Sequence, residues 1–406
     1  MVTMSDWTRA VLELSGGSRN IGQFLPALGR LLSQNGQRVT RLFTSIQSLH
    51  PEFRARSYVW YAGWEVAEVK SWPHGLANRP GYFESPDYHV HLSKKPFRIR
   101  LADLIPATEC DFYGSLKAEG FSDYLMVPLR FSNGTVNTLS FATRDPTGFR
   151  SELLDALQEL SLPITVLFER FVAEETAAST LSAYLGFSAA RHVLGGVVRV
   201  GQGRRIEAVV LFGDLHGYTR LSASLSPAET VVLLNDYFDC VVGAIEDRGG
   251  HVLKFIGDAF LAVFLIENKS RPICAAATIG AVQEIRRRLA RLNKRREEQA
   301  LPALSHSVAV HFGPVVYGNV GSTTRLDFTV IGQEVNVAAR IQEAAKSLNL
   351  DYVFTDQYVA AFGDAGLVRH GPYKLNELGR EVDLYTLCEE APLDSVLRYG
   401  PYISAV

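Results

Sequence analysis

Two aspartates pose the first chemical question. Residues 206–216 read IEAVVLFGDLH, an apolar run ending in Asp214, followed by GYT and a helix expected from about Ser226. The run predicts a strand. A carboxylate at its end, with a turn and a helix N-terminus behind it, can hold a cation beside a phosphate. Forty-four positions on, Asp258 stands in GGHVLKFIGDAFLAVF, where Gly257-Asp258 reads as the turn between two apolar strands. Taken singly, each aspartate reads more readily as a turn residue than as a ligand. Asn336 and Arg340 in VNVAAR stand four apart and would share one helix face, which in isolation is an ordinary polar surface. The basic run Arg286, Arg287, Arg288, Arg291, Lys294, Arg295, Arg296 raises the question of nucleic acid. It is short, helical in pattern and followed by Glu297-Glu298, so it reads as a solvated helix face.

The elements that must position these groups fall into two parts. Apolar residues Phe24, Leu25, Leu28, Leu31, Leu32, Val39, Leu42 and Phe43 recur near helical spacing and predict an amphipathic helix over 22–48. Residues 55–72 predict a strand pair turning at Gly63, and Trp60, Trp64 and Trp72 on it read as core. Residues 123–143 predict a hairpin, because Asn133-Gly134 separates two apolar runs. A long helix is expected from about Ser151 to Ala177, kinked or split by Pro163. Helix, strands, hairpin and closing helix make an α+β domain over 1–177. Its EGFSDYLMVPL strand, NG turn, second strand and long helix resemble a GAF-like sensor domain, with a PAS-like or unrelated α+β fold as the alternative. Residues 178–204 read as a helical connector loosened by Gly195, Gly196, Gly201 and Gly203.

The second part, 205–390, carries the specific pattern, and 391–406 is left as a tail. VVLFGDLHGYTRLS, LLNDYFD, GGHVLKFIGDAFLAVF, HFGPVVYGNVG and RLDFTVIGQEVNVAARIQ follow one another in the order and spacing of the class III nucleotide cyclase catalytic domain, which the segment closely resembles. The resemblance implies a ferredoxin-like fold, a homodimer with its active site between two domains, and ATP converted to 3′,5′-cyclic AMP and pyrophosphate. It implies two divalent ions per site, Mg²⁺ or Mn²⁺, held by Asp214, Asp258 and the carbonyl of Leu215. Lys254 and Thr329 fall at the base-reading positions: an ammonium donates to adenine N1, and a hydroxyl can accept from its amino group. Asn336 falls at the ribose-orienting position and Arg340 at the α-phosphate position, where its planar fork suits developing charge. Three departures stand out. GQEVN replaces GDTVN, with Gln333 and Glu334 near a helix start. Asn376-Glu377 replaces a Lys-Gly whose lysine helps bind triphosphate, leaving Lys374 or Arg325 to substitute. FGD replaces FAD or FTD, a change expected to matter little. Two other readings compete: a guanylate cyclase, disfavoured by Lys254, and a silent dimer that senses and relays.

Composition fits this picture. The 406 residues carry 41 Lys+Arg and 43 Asp+Glu, a net charge of −2 that gives no global field toward nucleic acid or anionic membrane. No apolar run approaches the roughly 20 residues a membrane span requires, and the N-terminal residues lack a signal-peptide pattern. Four cysteines far apart, Cys110, Cys240, Cys274 and Cys388, suit a reducing compartment and a cytoplasmic protein. The regulator of the first domain, a small molecule or a protein, is not readable from its residues, which show no Cys/His metal cluster.

Overall fold

The computed structural model describes residues 4–33, 38–47, 53–74, 80–104, 111–266, 270–364, 366–375 and 379–388. The chain divides into two compact units, Met1–Ala183 and Tyr184–Val406. Among the described residues, no helix is long and apolar enough to cross a membrane.

In the first unit, strands β1 (Arg41–Gln47), β2 (Ala55–Tyr61), β3 (Glu68–Trp72), β4 (Phe97–Arg100), β5 (Asp123–Arg130) and β6 (Val136–Thr143) form one sheet in the order β3-β2-β1-β6-β5-β4. Period-two alternation divides its side chains between two layers. Leu125, Val127, Leu129, Leu139 and Phe141 pack with residues of helices α1 (Met4–Leu14) and α2 (Ile21–Leu32). Tyr124, Met126 and Ala142 face the other way, towards the short helices α3 (Pro80–Phe83), α4 (Pro86–Ser93) and α5 (Asp111–Ala118), of which α4 and α5 supply Val90, Tyr113 and Leu116. The Asn-Gly hairpin forms as expected, with Gly134 at φ +85°.

The helix expected over 22–48 ends at Leu32, and residues 41–47 are strand β1. Leu42 and Ile46 point to one layer and Phe43 to the other, a strand alternation that Val39, Leu42 and Phe43 imitate at helical spacing. Trp60 is core, whereas Trp64 is 41% exposed, a correction to its assignment. The long helix is split one turn before Pro163, as the proline predicts: its ring cannot donate to the Glu159 carbonyl and would clash with it in a continuous helix. Helix α6 (Ser151–Glu159) gives way at Leu160 to α7 (Ser161–Leu185), and Pro163 lies in the first turn of α7, where its missing N–H costs nothing. Gly186, at φ +77°, separates α7 from α8 (Phe187–Leu194).

The second unit contains β7 (Gly203–Leu215), α9 (Tyr218–Ala223), α10 (Pro227–Glu246), β8 (His251–Ile256), β9 (Ala259–Leu265), α11 (Arg271–Glu298), β10 (His306–Gly321), β11 (Leu326–Ile331), α12 (Gln333–Ser347), β12 (Tyr352–Thr355), α13 (Asp356–Phe362), β13 (Leu367–Leu375) and β14 (Arg380–Leu387). A capping box fixes the start of α10: Ser226 and Glu229 satisfy each other's backbone N–H. The spatial order β10-β7-β9-β8, with α10 and α11 as crossovers, is that of a ferredoxin-like βαββαβ unit. Beyond β10 the sheet continues through β12, β14 and β13, and β11 also pairs with β10.

Strand β7 is buried on both faces. Val209, Leu211 and Leu215 join the cluster under α10 and α11, and Ala208 and Val210 join the one containing Ala189 of α8 and Ala338 of α12. His306, paired in register with Leu215, is wholly buried beneath the end of β7, with Nδ1 3.2 Å from the Tyr237 hydroxyl and Nε2 2.8 Å from that of Tyr352. Burial, with the charge of His216 second, holds its imidazole down at about 3. Unfolded histidine titrates near 6.5, so the unfolded chain binds the extra proton. The neutral ring's contribution is therefore complete above about pH 6.5 and is lost as pH falls toward 3, at about 1.4 kcal/mol per pH unit. His306→Gln should remove about 2 kcal/mol of the pH dependence of unfolding free energy between about pH 7 and about pH 5. Denaturant titrations at both pH values measure it, and parallel pH dependences for variant and wild type would contradict the assignment.

Candidate active site

The alternation along β7 that buries Leu215 under α10 and α11 sends Asp214 to the opposite face, with Phe212. Gly213 pairs with Phe260, so Asp214 and Asp258 lie at the same end of neighbouring strands. Gly257, at φ +66°, makes the tight turn that presents Asp258. Burial pushes the Asp258 carboxyl up to about 6, and a hydrogen bond and the charge of Asp214 add to it. From the last turn of α12, Lys346 Nζ donates to Asp214 Oδ2 at 2.6 Å and to the Leu215 carbonyl at 2.9 Å. Two oxygens expected to hold a metal thus converge on one cation position. Among the described residues no cluster of three or more His, Cys, Asp or Glu side chains could hold a metal. The donor set is two carboxylates and a backbone carbonyl, all hard oxygens, which fits Mg²⁺ or Mn²⁺ completed by phosphate and water.

A second group forms across β8 and β11. Lys254 Nζ lies 2.5 Å from Asp327 Oδ2. Asp327 and Thr329 alternate on β11 and share one face of it. The Thr329 hydroxyl is buried with no hydrogen-bond partner among the described residues. Arg325 precedes β11, its backbone N–H bound by the Ser322 hydroxyl at 3.1 Å, and its side chain is exposed. Lys374 is exposed on β13, and Asn376-Glu377 lies outside the described residues.

Helix α12 carries Asn336 and Arg340 on exposed positions, with Arg340 Nη1 2.7 Å from Glu343 Oε2. Its first turn is clamped to the sheet. Buried His311 of β10 contacts Glu334 Oε2 at 2.6 Å through Nε2 and Thr355 Oγ1 at 2.9 Å through Nδ1. Arg380 approaches the same Glu334 oxygen at 3.6 Å. The His311 hydrogen bond, reinforced by its charge and by Arg380, holds the Glu334 carboxyl below its usual range. Glu334 therefore anchors the helix that presents Asn336.

The structure gathers Asp214, Leu215 and Asp258 in one group and Lys254 and Thr329 in another, and leaves Asn336, Arg340 and Arg325 at the surface. Sequence reasoning missed Lys346, Asp327 and the His311–Glu334 clamp. Asp327 was reachable, since period-two spacing puts it beside Thr329. Lys346 reads as an ordinary last-turn lysine, and nothing local marks its reach to Asp214.

The sequence model of the family described as "Adenylate and Guanylate cyclase catalytic domain" matches residues 202–379. An adenylate cyclase of Anabaena cylindrica is 37% identical over 166 residues, 40% of this chain and 32% of that protein. An uncharacterized protein of Mycobacterium tuberculosis is 39% identical over 183 residues, 45% of this chain and 28% of that protein. The chain thus spans about a third or less of the length of the curated relatives it matches. By sequence, residues 202–379 are similar to adenylate and guanylate cyclase catalytic domains. A crystal structure of the adenylyl cyclase CyaB from P. aeruginosa aligns at TM-score 0.43 and 25% identity, over 46% of this chain and 96% of that one.

Gly213, expected to matter little, is closely packed. A Cβ there would stand 2.2 Å from the ring of Phe260, itself wholly buried. Gly213→Ala should cost about 1–3 kcal/mol of stability through overpacking. Adding Phe260→Leu should recover part of it. Thermal unfolding of the two variants measures this, and a Gly213→Ala protein as stable as wild type would show that the ring yields freely.

Proposed function

We propose that the second unit is an adenylate cyclase, which joins the ribose 3′-oxygen of ATP to the α-phosphorus and expels pyrophosphate. The observation that carries this reading is the convergence of Asp214 and the Leu215 carbonyl on one cation position, with Asp258 beside it. Divalent ions bound by these oxygens, two per site, would lower the pKa of the attacking hydroxyl and neutralise phosphate charge. Lys254, steadied by Asp327, donates to adenine N1. The buried, unpartnered Thr329 hydroxyl supports its role as acceptor for the adenine amino group. Arg340 takes the α-phosphate oxygens, Asn336 orients the ribose, and exposed Arg325 is available to the triphosphate.

The site is shared between two copies of the chain, carboxylates from one and Asn336, Arg340, Lys254 and Thr329 from the other. The geometry of α12 supports this. At 100° per residue, Arg340 and Lys346 stand roughly 120° apart around its axis. Lys346 serves Asp214 of its own chain, while Asn336 and Arg340 are exposed for a partner.

The first unit is proposed as a GAF-like regulatory domain for a small molecule or a protein, acting through α7 and the residues up to 204. One layer of its sheet supports a ligand-responsive role. Arg41 Nη1 is buried without a hydrogen-bond partner among the described residues, the hydroxyls of Tyr124 and Ser140 are buried in the same layer, and the half-buried Asp87 accepts from the Thr138 hydroxyl.

Three measurements test the proposal. Purified full chain should form cyclic AMP from ATP with Mg²⁺ or Mn²⁺, and Asp214→Ala or Asp258→Ala should lose at least about 10³ in rate while remaining dimeric. Near-normal turnover at saturating Mn²⁺ would refute the assignment. Mixing inactive Asp214→Ala and Arg340→Ala chains should recover about a quarter of wild-type activity, since about half the dimers are mixed and each has one intact site. No recovery despite demonstrated subunit exchange would rule out a shared site. Lys254→Glu with Thr329→Cys should shift preference from ATP toward GTP, with roughly 1–3 kcal/mol for each mispaired buried group. An unchanged ratio of kcat/KM would show that these residues do not read the base.

A further inference from the structure

Lys346 raises a question that the cyclase reading leaves open. Its ammonium takes two of the three oxygens assigned to the metal, Asp214 Oδ2 at 2.6 Å and the Leu215 carbonyl at 2.9 Å. Asp214 is 19% exposed, so its charge is held mainly by what stands next to it, whereas the lysine side chain is 40% exposed and open to water on one side. An ammonium is a compact point charge on a flexible four-carbon stem, with donors that adapt to whichever acceptors are near. It makes the contacts a hard cation would make, and it can be withdrawn without unpacking a core, because Lys346 itself is exposed at the end of α12 while its neighbours Ala344 and Ala345 are buried. A divalent ion ligated at about 2.1 Å by the same oxygens leaves no room for an ammonium at hydrogen-bond distance from both, and the two positive charges repel.

We infer that Lys346 is a built-in competitor for the metal position. Its ammonium and the divalent ion occupy the Asp214–Leu215 oxygens in turn, and the balance between them sets the metal concentration at which the site fills. The apparent dissociation constant for metal is the intrinsic one divided by the fraction of molecules in which the lysine has withdrawn. A lysine engaged about nine-tenths of the time weakens metal binding about tenfold. This inference rests on the metal assignment above, and its test separates the two.

Mn²⁺ binding to the full chain, without nucleotide, is measured from the electron paramagnetic resonance signal of free Mn²⁺. Lys346→Met keeps the stem and removes the charge, and Lys346→Arg keeps the charge. The expected result is Mn²⁺ bound about tenfold or more tightly by Lys346→Met than by wild type, with Lys346→Arg close to wild type, and binding by all of them abolished by Asp214→Asn. Mn²⁺ should also raise the melting temperature of Lys346→Met more than that of wild type. If Lys346→Met unfolds, Lys346→Gln takes its place under the same criteria. Equal or weaker binding by the neutral variant, with Asp214→Asn still abolishing it, overturns the competition and leaves the metal assignment standing. Binding that survives Asp214→Asn, or that is missing from every variant, overturns both.

Discussion

The second unit is organised around a repulsion. Asp214 and Asp258 are brought to the same end of neighbouring strands, one of them with a carboxyl raised to about 6 by burial and by the other. Two carboxylates so close cannot both be comfortably charged without a cation. Surrounding features hold the pair in place: the Phe260 ring seated on Gly213, the left-handed Gly257 turn, and neutral His306 locked between two tyrosines beneath Leu215. The two carboxylates reach further still: burial first, then Tyr352, then Asp214 and Asp258 push the buried Tyr237 hydroxyl upward.

Strand parity then decides which element answers that charge. Because β7 is covered on both faces, moving one residue along it exchanges one layer for the other. Leu215 goes under α10 and α11, and Asp214 goes to the opposite face. One helix, α12, carries Asn336, Arg340 and Lys346, and its orientation is fixed at its N-terminus by Glu334 against His311 and Arg380. The Gln-Glu at the start of α12, a departure from the usual family residues, is thus part of a clamp. Its carboxylate replaces solvent with a buried histidine and a guanidinium, the strong charge-assisted kind of hydrogen bond.

Features with a local cause were legible in the sequence. The β8–β9 turn, the Asn-Gly hairpin, the capped start of α10 and the placement of both aspartates at strand ends each follow from residues within a few positions of one another. Failures came where two periods coincide or where the partner is remote. Val39, Leu42 and Phe43 satisfy helical spacing as well as they satisfy a strand, and only the pairing of β1 with β2 and β6 settles the matter. Lys346 lies 132 positions from Asp214 and Lys254 lies 73 from Asp327, so neither contact leaves a local trace. The division of α6 from α7 at Leu160 has a local cause too, since Pro163 cannot donate to the Glu159 carbonyl four residues earlier and its ring would clash with it.

Three cations of the second unit share one property whose energetics matter for catalysis. Lys254 is paired with Asp327, Arg340 with Glu343 and Lys346 with Asp214. The first two pairs have partners 53% and 60% exposed, and exposed ion pairs are worth about 0–1 kcal/mol. A nucleotide arriving at Lys254 or Arg340 exchanges a weak contact for a stronger one, and meets side chains already extended by their carboxylate partners. The third pair differs because Asp214 is only 19% exposed, so the charge it leaves behind on losing Lys346 is poorly hydrated and must be answered by another cation. Exchange at the first two positions is thus inexpensive and tolerant of timing, whereas at the third the outgoing lysine and the incoming ion must replace each other. That difference makes the carboxylate end of the site, and not the base-reading end, the place where occupancy is decided.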